Sequence, residues 1–120
     1  MDDKRAFWLD AAERYIEDCC RNGSTVRVSE FASLMERTAV QLAREFQASA
    51  GIGVKVYFSR RQIACAKELL RTTGQSTAQI AVDSGFGTAR TFYRAFKRSA
   101  GQSPTAFRKE MSLGEPEFGP

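Results

Sequence analysis

Residues 44–57 read REFQASAGIGVKVY and residues 94–107 read RAFKRSAGQSPTAF. At an offset of fifty positions, Arg44 and Arg94, Phe46 and Phe96, Ser49 and Ser99, Ala50 and Ala100, and Gly51 and Gly101 are identical, while Tyr57 and Phe107 share a class. A repeat of that period signals two copies of one supersecondary unit. Each copy ends on Ser-Ala-Gly, the kind of helix stop in which glycine takes the left-handed conformation that other residues avoid.

The surroundings are helical and carry almost no strand pattern. Ahead of the first copy, Phe7, Leu9, Ala11, Ala12, Tyr15, Ile16 and Cys19 mark one apolar face of a helix that ends near Asn22-Gly23. Ser29 is expected to cap a short helix carrying Phe31, Ala32, Leu34 and Met35. Thr38 caps the next, through Val40, Leu42, Ala43 and Phe46 to Gly51. The longest helix is expected over Val54–Leu70, with Val56, Tyr57, Ile63, Ala66, Leu69 and Leu70 buried. The plan then repeats. Ser76 or Thr77 opens a short helix closed by Gly85, Thr88 caps a helix through Phe92 and Phe96 to Gly101, and Ser103-Pro104 opens a last helix that stops near Met111. Residues 1–111 thus form one all-α domain of seven helices, and residues 112–120 are expected to be a mobile tail.

Charge is distributed unevenly. Residues 1–36 hold five Lys/Arg against eight Asp/Glu, whereas residues 37–110 hold thirteen against four, within an overall formal charge of +4. The basic excess coincides with the repeat, which favours a polyanionic partner over a solvated surface that is merely basic. The chain has no histidine and only three cysteines, Cys19, Cys20 and Cys65, with no C-x-x-C pair. A zinc finger, a histidine-based triad and a histidine metal site are thereby excluded, no cofactor or metal is expected, and an enzyme is disfavoured. The cysteines suit a reducing cytosol, with Cys19 and Cys20 read as packing thiols rather than a redox pair. No run approaches the length of a membrane span, and the acidic start MDDKRAFW does not fit a secretory signal, so a cytoplasmic protein is expected.

A short helix, a tight turn and a second helix make a helix-turn-helix, here twice: about residues 28–51 and 76–101, joined by the helix over 54–70. Ala32 and Ala81 are small where helices cross closely. Leu42/Phe46 and Phe92/Phe96, each at i, i+4, face inward. The opposite faces are free to enter a groove. They carry Ala39, Val40, Gln41, Ala43 and Arg44 in the first unit, and Thr88, Ala89, Arg90, Thr91 and Arg94 in the second. Arginine can pair bidentately with guanine or hold phosphate, and threonine can meet a thymine methyl or a phosphate. Arg44 has an alternative use in a surface ion pair near Glu45.

Residues 60–108 resemble the DNA-binding domain of the AraC/XylS transcription regulators, through Ala66-x-x-Leu69-Leu70, Ile80-Ala81, Gly85-Phe86, Phe92-x-x-x-Phe96-Lys97, Gly101-x-x-Pro104 and Phe107-Arg108. The first unit matches more loosely, and Gln62 stands where the family generally has arginine. The resemblance implies a duplicated, homeodomain-like fold in which two recognition helices enter successive major grooves of double-stranded DNA, about one duplex turn apart. It implies base-edge candidates Val40, Gln41, Ala43, Arg44, Ala89, Arg90, Thr91 and Arg94. Backbone candidates are Ser29, Thr38, Arg60, Thr77, Thr88, Lys97 and Ser103. It further implies a sequence-specific transcription regulator, an activator that also touches RNA polymerase, with a sensing or dimerising domain on the N-terminal side in most members. Either this chain acts alone or it is the C-terminal part of such a protein. The acidic first helix, with Phe7 and Trp8, is a candidate surface for such a domain. Arg108 is either structural or phosphate-binding. The competing expectation, motivated by the apolar first recognition helix, is a helical protein-interaction module that has lost DNA reading.

Overall fold

The computed structural model describes residues 3–114, which form seven helices and no strand. They are α1 (Asp3–Asn22), α2 (Val28–Leu34), α3 (Ala39–Ala50), α4 (Val54–Thr72), α5 (Thr77–Asp83), α6 (Ala89–Ala100) and α7 (Pro104–Gly114). The all-α, two-unit organisation expected from the repeat is the observed one. The final helix runs past Met111 to Gly114, so residues 112–114 are helical rather than part of a tail; the rest of the expected tail lies outside the described residues.

The longest helix is α1, at 20 residues, and not α4, at 19, because α1 runs unbroken from Asp3 to Asn22. There are two apolar cores, and α4 serves both. Trp8, Tyr15, Ile16, Phe31, Leu42 and Phe46 centre the first, closed from α4 by Val54 and Phe58. Ile80, Phe86, Phe92 and Phe96 centre the second, to which α4 gives Ile63, Ala66 and Leu70. The handover between Phe58 and Ile63 explains a correction. The buried positions of α4 are Val54, Phe58, Gln62, Ile63, Ala66 and Leu70, and Val56 is exposed. One helix face at i, i+4 spacing satisfies both cores.

The repeat is visible in contacts as well as letters. Phe46 meets Tyr57 at 5.9 Å between ring centroids, and Phe96 meets Phe107 at 5.5 Å. Both α3 and α6 are 12 residues long, are capped by threonine, and end at a glycine with φ of 78°.

Three features of the first lobe depart from the sequence reading. Trp8 is buried and Phe7 is exposed, because Trp8 is in helical register with the buried Ala12, Tyr15, Ile16 and Cys19, while Phe7 lies one residue, roughly 100°, off that stripe. The Trp8 indole stands edge-on to Phe31 and Phe46, so it is not a free docking surface. Ser29 is not the cap of α2, and its hydroxyl does not mark that helix start. The N-cap is Arg27, without a side-chain cap bond, and Ser29 lies exposed inside the helix. The start is set from a distance: the Tyr15 hydroxyl accepts from the Arg27 amide at 2.9 Å and donates to the Glu30 carboxylate at 2.6 Å. Burial, and then the bond to Glu30, push the Tyr15 phenol far above its usual pKa, which keeps it protonated. In the turn between α2 and α3, Glu36 takes a left-handed φ of 60°, the one non-glycine residue among those described to do so.

The lobes meet at the turn of the second unit. The Val26 amide donates to the Gly85 carbonyl at 2.9 Å, and the buried Gln62 amide donates to the Ser84 carbonyl at 3.1 Å. Gly85 has a φ of +81°, and a Cβ there would lie 2.6 Å from Cγ2 of Val26. Gly85→Ala is therefore expected to cost about 2 kcal/mol or more, from left-handed strain and overlap together. Urea unfolding measures it, and adding Val26→Ala is expected to recover the part due to overlap; additive losses would show that the two residues do not touch.

Arg108 is structural. Its guanidinium donates to the Leu70 carbonyl at 3.1 Å and the Thr73 carbonyl at 3.0 Å, satisfying the open end of α4. Arg108→Ala is expected to lose about 1–2 kcal/mol of stability. The salt dependence of DNA binding should stay unchanged, since no phosphate contact is removed; a shallower slope would return Arg108 to the interface.

Candidate nucleic-acid interface

The two candidate recognition helices are positioned by matching local chemistry. At α3, Thr38 Oγ1 accepts from the Gln41 amide at 3.1 Å, and Gln41 Oε1 accepts from the Thr38 amide at 3.0 Å, a reciprocal capping box. At α6, Thr88 Oγ1 accepts from the Thr91 amide at 3.1 Å and donates to the Thr91 hydroxyl at 3.0 Å. Gln41 and Thr91 thus occupy the same position in each unit and are partly occupied by the caps. What each retains for a partner is a donor: the Gln41 NH2 and the Thr91 hydroxyl hydrogen. Leu42 and Phe46, and Phe92 and Phe96, are fully buried and anchor the opposite faces.

All eight base-edge candidates are exposed: Val40, Gln41, Ala43, Arg44, Ala89, Arg90, Thr91 and Arg94. Of the backbone candidates, Thr38, Arg60, Thr88 and Lys97 are exposed. Thr77 and Ser103 are half-buried. Ser103 Oγ accepts from the Ala106 amide at 3.0 Å and caps α7. Ser76, not Thr77, caps α5, and the Thr77 hydroxyl instead lies 3.0 Å from the Tyr93 hydroxyl.

The charges at these positions differ from those of five arginines elsewhere. Among the described residues, Arg14, Arg21, Arg37, Arg61 and Arg71 each lie within ion-pair distance of a carboxylate. Arg44, Arg60, Arg90, Arg94 and Lys97 are in no such pair. The alternative ion-pair use of Arg44 is not observed, and Glu45 pairs instead with Arg37 at 3.1 Å. Such exposed pairs contribute little stability, but they neutralise charge locally. The recognition faces keep theirs.

Tyr93, absent from the candidates named from sequence, shares the exposed face of α6. It joins Ala89, Arg90 and Arg94 in lining a shallow depression on α6. Its position, three after Arg90 and one before Arg94, was the available signal. Gln47 and Lys55 were likewise passed over, and they flank Val40 and Ala43 in an apolar groove beside α3. The two faces therefore differ in kind. That of α6 offers two guanidiniums and a phenol, while that of α3 offers methyl groups, with Arg44 and Gln47 at its edge. The described residues extend 54 Å along their longest axis.

A family model described as a helix-turn-helix domain matches residues 31–110. The Msm operon regulatory protein of Streptococcus mutans is 32 % identical over 89 residues, covering 74 % of this chain and 32 % of that protein. The first curated relatives are longer than this chain, which spans 32 %, 50 % and 36 % of their lengths. The C-terminal domain of AraT, a response regulator from Geobacillus stearothermophilus, superposes with a TM-score of 0.74 at 25 % identity, over 86 % of this chain and 84 % of that one. The DNA-binding domain of AdpA, solved in complex with a target DNA, shares the fold, with a TM-score of 0.75 at 20 % identity over 97 % of this chain and 99 % of that one. With two capped helix-turn-helix units on one shared helix and a family match across 31–110, the chain belongs to the AraC-type helix-turn-helix family.

Proposed function

We propose that this chain binds double-stranded DNA sequence-specifically, with α3 and α6 in successive major grooves, as the DNA-binding part of a transcription regulator. The observation that carries the proposal is the exposed face of α6, where Arg90 and Arg94 stand free of carboxylate partners on a helix fixed at both ends. Its support is the family and the long axis of 54 Å, which accommodates two helices separated by one duplex turn of ~34 Å. In this reading α6 supplies the hydrogen-bonded base contacts. Val40 and Ala43 on α3 meet thymine methyls, and Arg44, Arg60 and Lys97 hold phosphates. Activation through contact with RNA polymerase, and a sensing domain elsewhere in a longer protein, complete the proposal; the greater length of the relatives supports the second.

The test is selection of bound sequences from a random duplex pool, followed by affinity for the selected site against random duplex at near-physiological salt. A specificity ratio of about 10³ or more is expected. Equal affinities would sink sequence reading. No binding even at low salt would favour a protein-interaction module, the reading that the exposed Val40 would suit. In purified transcription, the selected site placed near a promoter is expected to raise output, and no change would remove the activator role.

A further inference from the structure

The three cysteines do not behave as a set. Cys19 is buried in the first core, its sulfur facing the Thr25 carbonyl at 3.9 Å. Cys20 and Cys65 are half-buried, on α1 and α4, with their sulfurs 3.8 Å apart. Both line a cleft of about 270 Å³ between those helices, with Glu13, Glu17, Arg61 and Ala64. Their placement is at the joint of the molecule. Cys20 packs against the first core, while Cys65 lies beyond the handover on α4 and faces the carbonyl of Asp83, the last residue of α5, at 3.9 Å.

We propose that Cys20 and Cys65 form a site of reversible two-electron oxidation by hydrogen peroxide, which closes to a disulfide tying α1 to the linker helix. The Cys65 thiolate attacks one peroxide oxygen; the S–O bond forms, the O–O bond breaks, and hydroxide leaves. The Cys20 thiol then attacks the Cys65 sulfenic sulfur, the S–S bond forms, and the oxygen departs as water with the Cys20 proton. The departing hydroxide takes up the proton that Cys65 gave up on ionising, so two thiols and one peroxide give one disulfide and two waters. Geometry supports each step. The cleft admits a small oxidant, and joining the sulfurs needs an approach of about 1.8 Å, within the reach of side-chain rotation. The neighbouring Cys20 thiol holds Cys65 below the ordinary cysteine value, against burial, so that Cys65 is the attacking partner and Cys20 the resolving one. Cys19, although adjacent in sequence, points roughly 100° away around α1 and has no access to the cleft.

Reduced protein exposed to a modest excess of hydrogen peroxide, then alkylated and mapped by peptide mass spectrometry, tests this independently of DNA binding. The expected result is a Cys20–Cys65 linked peptide, with Cys19 still alkylated, and full recovery of both thiols on adding a dithiol reductant. In Cys20→Ser, a sulfenic acid trapped by a cyclic diketone is expected to accumulate on Cys65. In Cys65→Ser, no intramolecular link should form. Links through Cys19, links between chains only, or three alkylatable thiols remaining after peroxide would each overturn the site.

Discussion

Phe96→Ala is expected to cost about 3–5 kcal/mol of folding stability. Phe96 is fully buried, meets Phe92 at 5.7 Å between centroids, and meets Phe107 of α7 at 5.5 Å. Its removal opens a cavity where three helices converge: α6, α7 and, through Ala66 and Leu70, α4. Against the 5–15 kcal/mol typical of a whole domain, that loss takes the protein close to its threshold. Urea unfolding followed by circular dichroism measures it. The shared bond between Val26 and Gly85 makes the lobes depend on each other, so a single transition is expected in both wild type and variant. A loss below about 2 kcal/mol would mean that α7 collapses into the gap and that Phe96 is not the pin of this lobe.

The double replacement Arg90→Ala with Arg94→Ala is expected to lower affinity for the selected site by about 2–6 kcal/mol, from roughly 1–3 kcal/mol for each guanidinium that reads a base. Affinity for random duplex should fall far less, so the specificity ratio collapses. Arg44→Ala is expected to behave differently. As a phosphate holder on the apolar α3 face, it should weaken binding to all sequences alike and reduce the salt slope by about 0.9. Anisotropy titrations over a range of salt separate the two behaviours. Thermal unfolding provides the control, since these exposed side chains carry no internal contact whose loss would unfold the chain. Unchanged specificity in the double variant would move base reading off α6 and onto α3 or Tyr93.

Much of the scaffold was legible because its determinants are local. The caps Thr38, Thr88 and Ser103, the stops at Gly51 and Gly101, and the inward pairs Leu42/Phe46 and Phe92/Phe96 each act within one helical turn. The candidate site was legible for a related reason. Once the inward stripe of a helix is known, the outward stripe follows from 3.6-residue periodicity. One misreading was open to the same rule: Trp8 lies on the stripe of Ala12, Tyr15, Ile16 and Cys19, so periodicity places it inward and Phe7 outward. Another has the opposite property. Ser29 is a good cap by residue type, yet the helix begins where the Tyr15 hydroxyl, twelve residues from Arg27, holds it.

By itself, then, the sequence determined the element order, the duplication, the faces of α3 and α6, and the family. All of these depend on interactions among residues a few positions apart, which the periodic pattern records. Tertiary structure alone decided the rest. It made Gln62 the link from α4 to Ser84. It set Arg108 on the open end of α4 and brought Cys20 within 3.8 Å of Cys65. Those contacts join residues 22 to 45 positions apart, or bind a side chain to a carbonyl that any residue could offer. Their partners exist only once the helices have packed.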